Sequence, residues 1–191
     1  MVRDAEYWNE RYANNQIGWD LGMPSPPIQA YFDQIEDKNV RILIPGSGNA
    51  YDAELLFEKG FENVYVLDFA QHPLDAFKKR NPAFPSNQLI YDDFFKYDGE
   101  YDFIAEQTLY CAIDPSMRDS YAEQSSSLLK KGGKLVGVLF NREFEEGPPF
   151  GGNSREYAAC FAPHFESVEL FECYNSVVPR LGSELFIRMT K

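Results

Sequence analysis

The chain has 191 residues, 44% hydrophobic and 16% aromatic, which is enough for one folded core without disulfides or bound metal. Its formal net charge of −12, with no sizeable cluster of Lys or Arg, argues against a nucleic-acid partner. Three cysteines and two histidines stand in unrelated contexts, so no metal site is predicted. The odd cysteine count and the lack of a signal peptide favour the cytoplasm, and the longest apolar run, residues 135–140, is too short for a membrane span.

Residues 1–38 differ in pattern from the rest of the chain and are predicted to form a helical lid segment. Two short helices are expected there, at about residues 4–14 and 25–35. Each begins at a side chain that can cap a helix, Asp4 in the first and Ser25, followed by a proline, in the second.

From residue 39 onward, short apolar runs alternate with segments of helical spacing. The predicted strands cover residues 40–44, 64–67, 88–91, 101–105, 134–140, 167–173 and 184–189, and the predicted helices cover 51–59, 73–80, 114–130 and 154–162. This alternation predicts an α/β fold with a parallel sheet and helices on both faces. The last two strands leave no room for a crossover helix. We therefore expect a doubly wound, seven-stranded mixed sheet with an antiparallel last strand, in a single domain of residues 1–191 with a Rossmann-like core at 39–191.

The turn after the first strand carries Gly46 and Gly48, a spacing that lets a ligand lie against the backbone. Asp68 ends the second strand, where a carboxylate can accept hydrogen bonds from both ribose hydroxyls. Ligands of such sheets bind beyond the carboxyl ends of the strands, so we predict an adenosine-containing ligand. Tyr51 replaces the third glycine of the dinucleotide fingerprint, which disfavours a nicotinamide or flavin cofactor without excluding it.

Polar and aromatic residues also follow the third and fourth strands. An aspartate such as Asp93 can accept a hydrogen bond from an adenine amino group while a neighbouring phenylalanine, Phe94, packs on the ring. The alternative, a solvated acidic turn beside core phenylalanines, stays open for this segment. Gln107 ends the fourth strand at the expected switch point of the sheet.

Together these features resemble the class I S-adenosylmethionine-dependent methyltransferases, and longer blocks narrow the resemblance to the thiopurine, thiol and halide methyltransferase family. The blocks are Tyr7–Tyr12 with Ile17–Pro24, the turn Pro45–Gly48, Asp93–Phe95, Tyr110–Ile113 with Pro115 and Arg118, and Gly147–Phe150. They follow the family order along nearly the whole chain.

The resemblance implies a role for particular residues. Those it places around the cofactor are Trp8, Tyr12, Trp19, Gly46, Gly48, Asp68, Asp93, Phe94 and Gln107, the last where relatives have a tyrosine. The aromatic trio at positions 8, 12 and 19 would form a lid, because aromatic faces suit a sulfonium cation. On the acceptor side we expect Tyr110, Arg142, Tyr157 and Arg180.

Methyl transfer from a sulfonium is an in-line displacement that needs alignment and a dry pocket more than proton transfer, so no catalytic residue is assigned. Cys111 is interpreted as a packing residue and not as a nucleophile. The expected function is methyl transfer from S-adenosylmethionine to a small acceptor, either a thiol or thiopurine sulfur or a halide or thiocyanate-type anion, by a monomer. Two alternatives stay open: a nicotinamide-dependent oxidoreductase, and a catalytically idle cofactor-binding domain.

Overall fold

A seven-stranded sheet forms the centre of the structure, a computed structural model that describes residues 3–191. The strands are β1 Arg41–Pro45, β2 Asn63–Asp68, β3 Leu89–Tyr91, β4 Tyr101–Gln107, β5 Leu129–Phe140, β6 Ser167–Glu172 and β7 Glu184–Thr190, in the spatial order β3-β2-β1-β4-β5-β7-β6. The first five strands run parallel, and β7 is antiparallel to both of its neighbours. The predicted mixed sheet is therefore confirmed.

Helices cover both faces of this sheet, as expected. They are α1 Ala5–Ala13, α2 Pro26–Phe32, α3 Tyr51–Glu58, α4 Gln71–Arg80, α5 Leu109–Ala112, α6 Arg118–Leu128 and α7 Ser154–Phe161. Ile42 and Ile44 of β1 point into a cluster with side chains of α2, α3 and α4, whereas Leu43 points into a second cluster with side chains of α6 and α7. Burial on both faces explains why β1 is a continuous apolar run.

The N-terminal helices begin where the sequence predicts, but the second is shorter than predicted. Asp4 caps α1, its carboxylate accepting a hydrogen bond from the Tyr7 N–H at 3.0 Å. Ser25 precedes α2 without a side-chain cap, and its own N–H donates to buried Asp52. The helix ends at Phe32 because the N–H of Ile35 bonds to a carbonyl three residues back, which tightens the chain into a turn. Residues 1 and 2 of the predicted lid segment lie outside the described residues.

The helix predicted over 114–130 is wrong at both ends. Asp114 caps a 3₁₀ turn, α6 begins only at Arg118, and residue 129 already belongs to β5. Leu129 pairs with Tyr101, after which the strand bulges before the next pair forms at Lys134. Within this bulge Gly132 has a φ of +76°, a left-handed conformation that glycine adopts without strain. The two glycines thus lie inside a strand instead of separating it from the helix.

Candidate active site

The strand order reverses between β1 and β4, and the loops that follow these two strands enclose two adjoining cavities. The larger one lies over the turn after β1 and has about 500 Å³ of empty space, part of it open to solvent. The smaller one, with about 200 Å³ of empty space that is also partly open to solvent, lies beside the end of β4. Gln107 and Thr108 line both cavities and form the boundary between them. This is the switch point at which open α/β sheets bind their ligands.

The turn after β1 requires its glycines. Gly46 and Gly48 have φ values of +56° and +52°, and a Cβ on Gly46 would lie 2.8 Å from a methyl carbon of Leu109. The Gly48 N–H donates a 3.0 Å hydrogen bond to Asp68, which joins the turn to the end of β2. The backbone of this turn therefore forms a floor that a ligand can approach closely.

Asp68 supports the turn from beneath. Its second carboxylate oxygen accepts a 2.9 Å hydrogen bond from the Ala70 N–H, and the side chain is buried. Burial raises the pKa of this carboxyl to about 6, although the hydrogen bonds to Ala70 and Gly48 oppose that shift. Asp68 lies behind the turn and does not itself line the larger cavity. Each of its oxygens retains a further lone pair, and the expected bonds to ribose hydroxyls stay a prediction.

Three aromatic residues of the N-terminal segment pack together near the turn, and two of them, Tyr12 and Trp19, line the larger cavity, whereas Trp8 does not. The ring of Trp19 packs edge-on against Trp8, with centroids 5.3 Å apart, and against Tyr12, with centroids 5.7 Å apart. The Trp19 indole N–H donates to the Tyr12 hydroxyl at 3.4 Å. A Cβ built on Gly48 would lie 2.5 Å from that hydroxyl, so Tyr12 lies directly on the turn. Burial and the charge of Asp68 raise the pKa of the Tyr12 hydroxyl, which keeps it protonated.

The larger cavity suits a nucleoside ligand with a polar amino-acid tail. Ser47 and Gln107 each place a buried side-chain oxygen without a hydrogen-bond partner at this cavity. Such oxygens are normally satisfied by a ligand or by water. Asp52 also lines the cavity and is buried, and burial raises its pKa to about 7. The residues present thus fit S-adenosylmethionine, with the glycine turn as a floor and the carboxyl of Asp52 facing a cationic ligand.

Arg180 is the predicted acceptor-side residue that the structure places in the smaller cavity. Its guanidinium donates a 2.8 Å hydrogen bond to the Trp19 carbonyl and lies 3.4 Å from a carboxylate oxygen of Glu184. It also stacks over the ring of Phe140 at 5.3 Å. Arg180 therefore connects the aromatic lid to the strand that forms the far wall of the small cavity.

Glu106 and Cys111 complete the inner wall of the small cavity. Glu106 is fully buried, and its two oxygens accept hydrogen bonds from the Tyr110 N–H, at 3.0 Å, and from the Tyr121 hydroxyl. Burial raises the pKa of Glu106 to about 7. Burial and then the charge of Glu106 raise the pKa of the Cys111 thiol to about 12, which leaves it protonated and supports its interpretation as a packing residue.

Three other residues expected on the acceptor side lie elsewhere. Tyr110 and Tyr157 are buried in the core behind the cavities, with ring centroids 5.6 Å apart, and the Tyr157 hydroxyl donates to the Phe140 carbonyl at 2.6 Å. Arg142 is exposed, and its guanidinium stacks over the ring of Phe144. None of the three lines either cavity. The two tyrosine rings pack in the core, and the charge of Arg142 is exposed at the surface.

The residues expected at the adenine are also placed differently. Phe94 is buried against the ring of Tyr121, with centroids 5.2 Å apart, so its face is covered by the core. Asp93 accepts a hydrogen bond from the Phe95 N–H and forms an ion pair with Lys96 at 2.9 Å. Neither lines the larger cavity, and these contacts match the alternative of an acidic turn beside core phenylalanines.

Asp52, Thr108 and Glu184 are among the lining residues that sequence reasoning missed. Thr108 has a φ of +74°, rare for a residue with a Cβ, and nothing in its sequence context signals it. The other two residues do have a sequence signal. Asp52 is an acidic residue on an otherwise apolar face of α3, and Glu184 is an acidic residue at the start of the apolar strand β7. Both acidic residues are buried, which is uncommon without a partner.

The architecture matches solved structures of S-adenosylmethionine-dependent methyltransferases. One is the Burkholderia thailandensis 1,6-didemethyltoxoflavin-N1-methyltransferase with bound 1,6-didemethyltoxoflavin and S-adenosylhomocysteine, at a TM-score of 0.74 and 17% identity, covering 98% of this chain and 86% of that chain. Sheet order and the glycine turn at the switch point thus define the Rossmann-like methyltransferase fold.

The sequence comparisons identify the family. The profile of the thiopurine S-methyltransferase (TPMT) family matches residues 3–185, so the chain belongs to this family and is an S-adenosylmethionine-dependent methyltransferase. A probable thiol methyltransferase 2 of Arabidopsis thaliana is 29% identical over 191 residues, covering 96% of this chain and 84% of the relative. Thiocyanate methyltransferase 1 of Brassica oleracea is 25% identical over 191 residues, again covering 96% and 84%.

Residues 3–191 contain neither a membrane-spanning helix nor a cluster of metal-ligating side chains. No helix in this part of the chain is both long and apolar enough to cross a membrane. Among the same residues, no group of three or more His, Cys, Asp or Glu side chains is arranged to hold a metal ion.

Replacing Gly46 with alanine tests the floor of the larger cavity. The added Cβ would meet Leu109 at 2.8 Å in a backbone of positive φ, so we expect binding of S-adenosylhomocysteine to weaken at least about tenfold. The matched control is Gly60→Ala, whose φ is +85° but whose added Cβ meets nothing within 4 Å. Calorimetric titration of both variants separates the two effects. Equal affinity in the two variants would show that the turn is not part of the binding site.

Proposed function

We propose that this chain transfers the methyl group of S-adenosylmethionine to a small nucleophile, either a thiol or thiopurine sulfur or a halide or thiocyanate-type anion. The observation that carries the proposal is the pair of adjoining cavities that share Gln107 and Thr108. A large cavity over a glycine turn suits the nucleoside, and a small one beside it suits an acceptor. The two plant relatives are named as a probable thiol methyltransferase and a thiocyanate methyltransferase, and these names agree with an acceptor of this kind.

The proposed mechanism depends on position and exclusion of water. When bound, S-adenosylmethionine supplies an electrophilic methyl group on a sulfonium. The rings of Tyr12 and Trp19 line the larger cavity beside the glycine turn, Trp8 packs against Trp19, and aromatic faces of this kind stabilise a cation. The guanidinium of Arg180 holds the Trp19 carbonyl, so the lid and the acceptor cavity are coupled. Such a closed arrangement aligns two reactants and removes solvent between them.

The small cavity limits the size of the acceptor. The side chains of Glu106, Cys111, Val138 and Phe140 close around its inner end and leave little room beside Arg180 and Glu184. We propose that only one small molecule enters it, that neither a nucleic acid nor a membrane is a partner, and that the protein works as a monomer in the cytoplasm. The segment 1–38 is proposed to act as the lid of a single domain spanning 1–191.

The experiment is a methyl-transfer assay with labelled S-adenosylmethionine and a panel of acceptors. The panel contains an aliphatic thiol, a thiopurine, hydrosulfide, iodide and thiocyanate. We expect label to move to at least one of them, and S-adenosylhomocysteine but not NAD to bind in calorimetry. Binding without transfer to any acceptor would contradict the proposal and favour a cofactor-binding domain without activity. The exchange of the family tyrosine for Gln107 makes that second candidate worth testing.

A further inference from the structure

The small cavity is lined by an ion pair between buried Glu184 and partly buried Arg180, and its position suggests a chemical role. We propose that Glu184 is the general base that removes the proton of a neutral thiol acceptor, and that Arg180 stabilises the thiolate so formed. The inference rests on the proposed function. Of the two acceptor classes named there, it selects thiols, which carry a proton, and not inorganic anions.

The positions of Glu184 and Arg180 suit the transfer of a proton from an acceptor and the stabilisation of the anion that remains. Glu184 opens β7 opposite Phe140 of β5, and only 6% of its surface is exposed. Its carboxylate faces the Arg180 guanidinium at 3.4 Å, a loose contact for a charged hydrogen bond. Both side chains line the cavity and are therefore positioned to contact an acceptor. A carboxylate and a guanidinium on the same wall provide a site for a proton and a site for the resulting negative charge.

The cavity's own cysteine shows why a base is needed there. The Cys111 thiol lines the same cavity, and burial followed by the Glu106 charge raises its pKa to about 12. An acceptor thiol bound nearby would experience the same desolvation and would remain protonated near neutral pH. The charge of Arg180 acts in the opposite direction on Cys111 and lowers its pKa, as it would for a bound thiol.

The other groups that face Glu184 do not provide the same function. They are Arg180 on the 3₁₀ turn Val178–Arg180, Glu106 and Cys111 at the end of β4 and in α5, and Cys173 just after β6. Glu106 has no exposed surface and its oxygens hold the Tyr110 N–H and the Tyr121 hydroxyl, whereas Glu184 keeps 6% of its surface exposed and is the more accessible carboxylate for an acceptor. Cys111 is itself a protonated thiol.

Electrostatics favour a neutral acceptor over an anion. The positive charge of Arg180 is already compensated by Glu184, and Glu106 adds further negative charge to the same wall when ionised. A halide or thiocyanate ion would enter a cavity without surplus positive charge, whereas a thiol enters neutral.

The proposed step balances. The acceptor S–H bond breaks, its proton forms an O–H bond on the Glu184 carboxylate, and the sulfur keeps the electron pair. That pair forms the new carbon–sulfur bond to the transferred methyl group. The electrons of the original bond between this methyl and the sulfonium stay on the sulfonium sulfur, which becomes a neutral thioether. The products are a methyl thioether, S-adenosylhomocysteine and a proton that Glu184 returns to solvent.

The test compares Glu184→Gln with the wild type on two acceptors, 2-mercaptoethanol and iodide, because iodide has no proton to lose. We expect Glu184→Gln to lower kcat/KM for the thiol about 100-fold near pH 7 and to leave that for iodide unchanged or raised. The thiol rate of the variant should rise with pH as the thiol ionises in solution. The matched control Glu123→Gln, an exposed position on α6, should behave as wild type.

Several outcomes would overturn the inference. A variant that keeps the full thiol rate near pH 7, or loses thiol and iodide turnover equally, would contradict a role as base. A wild type that methylates iodide and no thiol would also contradict it, while the proposed function would stand. Transfer to neither acceptor nor to any other member of the panel would instead contradict the proposed function. Calorimetry with S-adenosylhomocysteine and a melting curve confirm that each variant is folded and binds.

Discussion

Asp68→Ala is expected to weaken binding of S-adenosylhomocysteine roughly 100-fold or more, because hydrogen bonds to a carboxylate contribute about 1.5–3 kcal/mol each. The structure adds a second effect. The carboxylate holds the N–H groups of Gly48 and Ala70, and alanine would leave both buried and without an acceptor. We therefore also expect the free energy of unfolding to fall by about 2–4 kcal/mol.

Asp68→Asn separates the two effects. The asparagine keeps one carbonyl oxygen for the backbone and has almost the same volume, so we expect it to be more stable than the alanine variant but still weak in binding. Calorimetric titration and urea unfolding measure both quantities. Wild-type affinity in a folded Asp68→Ala variant would show that this residue does not contact the ligand.

Asp52→Asn is expected to stabilise the free protein by about 2–4 kcal/mol at about pH 9 and to leave stability unchanged at about pH 4. Burial raises the pKa of Asp52 from an ordinary 3.8 to about 7 in the folded protein. A carboxyl whose pKa is raised by folding contributes stability below its unfolded pKa, and this contribution is lost as pH rises to about 7. The amide carries no charge, and its oxygen can still accept from the Ser25 N–H.

The measurement is urea unfolding of the variant and the wild type across this pH range. Asp75→Asn, an exposed position on α4, is the control and should show no such difference. A difference that stays constant with pH would contradict the assignment of a raised pKa to Asp52. Because Asp52 faces the cavity proposed for a cationic ligand, we further expect the variant to bind S-adenosylmethionine less tightly, a stability gain at the expense of function.

The fold followed from local patterns because strand and helix signals agreed with the global arrangement. The apolar run of β1, the capping aspartate of α1 and the short connection before β7 each predicted what the structure shows. The prediction failed at residues 129–133, where pairing of Leu129 with Tyr101 overrides a helical pattern. Long-range pairing of this kind has no signature in a local window.

Residues of the site could be predicted from the sequence where a residue type has one structural role. They could not be predicted where burial in the folded chain determines whether a side chain faces a cavity or the core. The paired glycines of the turn, with Tyr12 and Trp19, line one cavity, and their role toward the cofactor stays a prediction. Tyr110 and Phe94 were expected to face ligands, but each aromatic ring is equally suited to a core, and the packing of α6 and α7 places them there. Glu184 was missed because its partner Arg180 becomes a neighbour of the cavity only through the turn before β7.

A crystal structure with S-adenosylhomocysteine tests the central claim most directly. We expect the adenosine to lie over the turn at Gly46 and Gly48, its ribose hydroxyls within hydrogen-bond distance of Asp68, and its sulfur at the boundary formed by Gln107 and Thr108, facing the small cavity. A sulfur directed away from that boundary, or a ligand bound elsewhere on the sheet, would contradict the account.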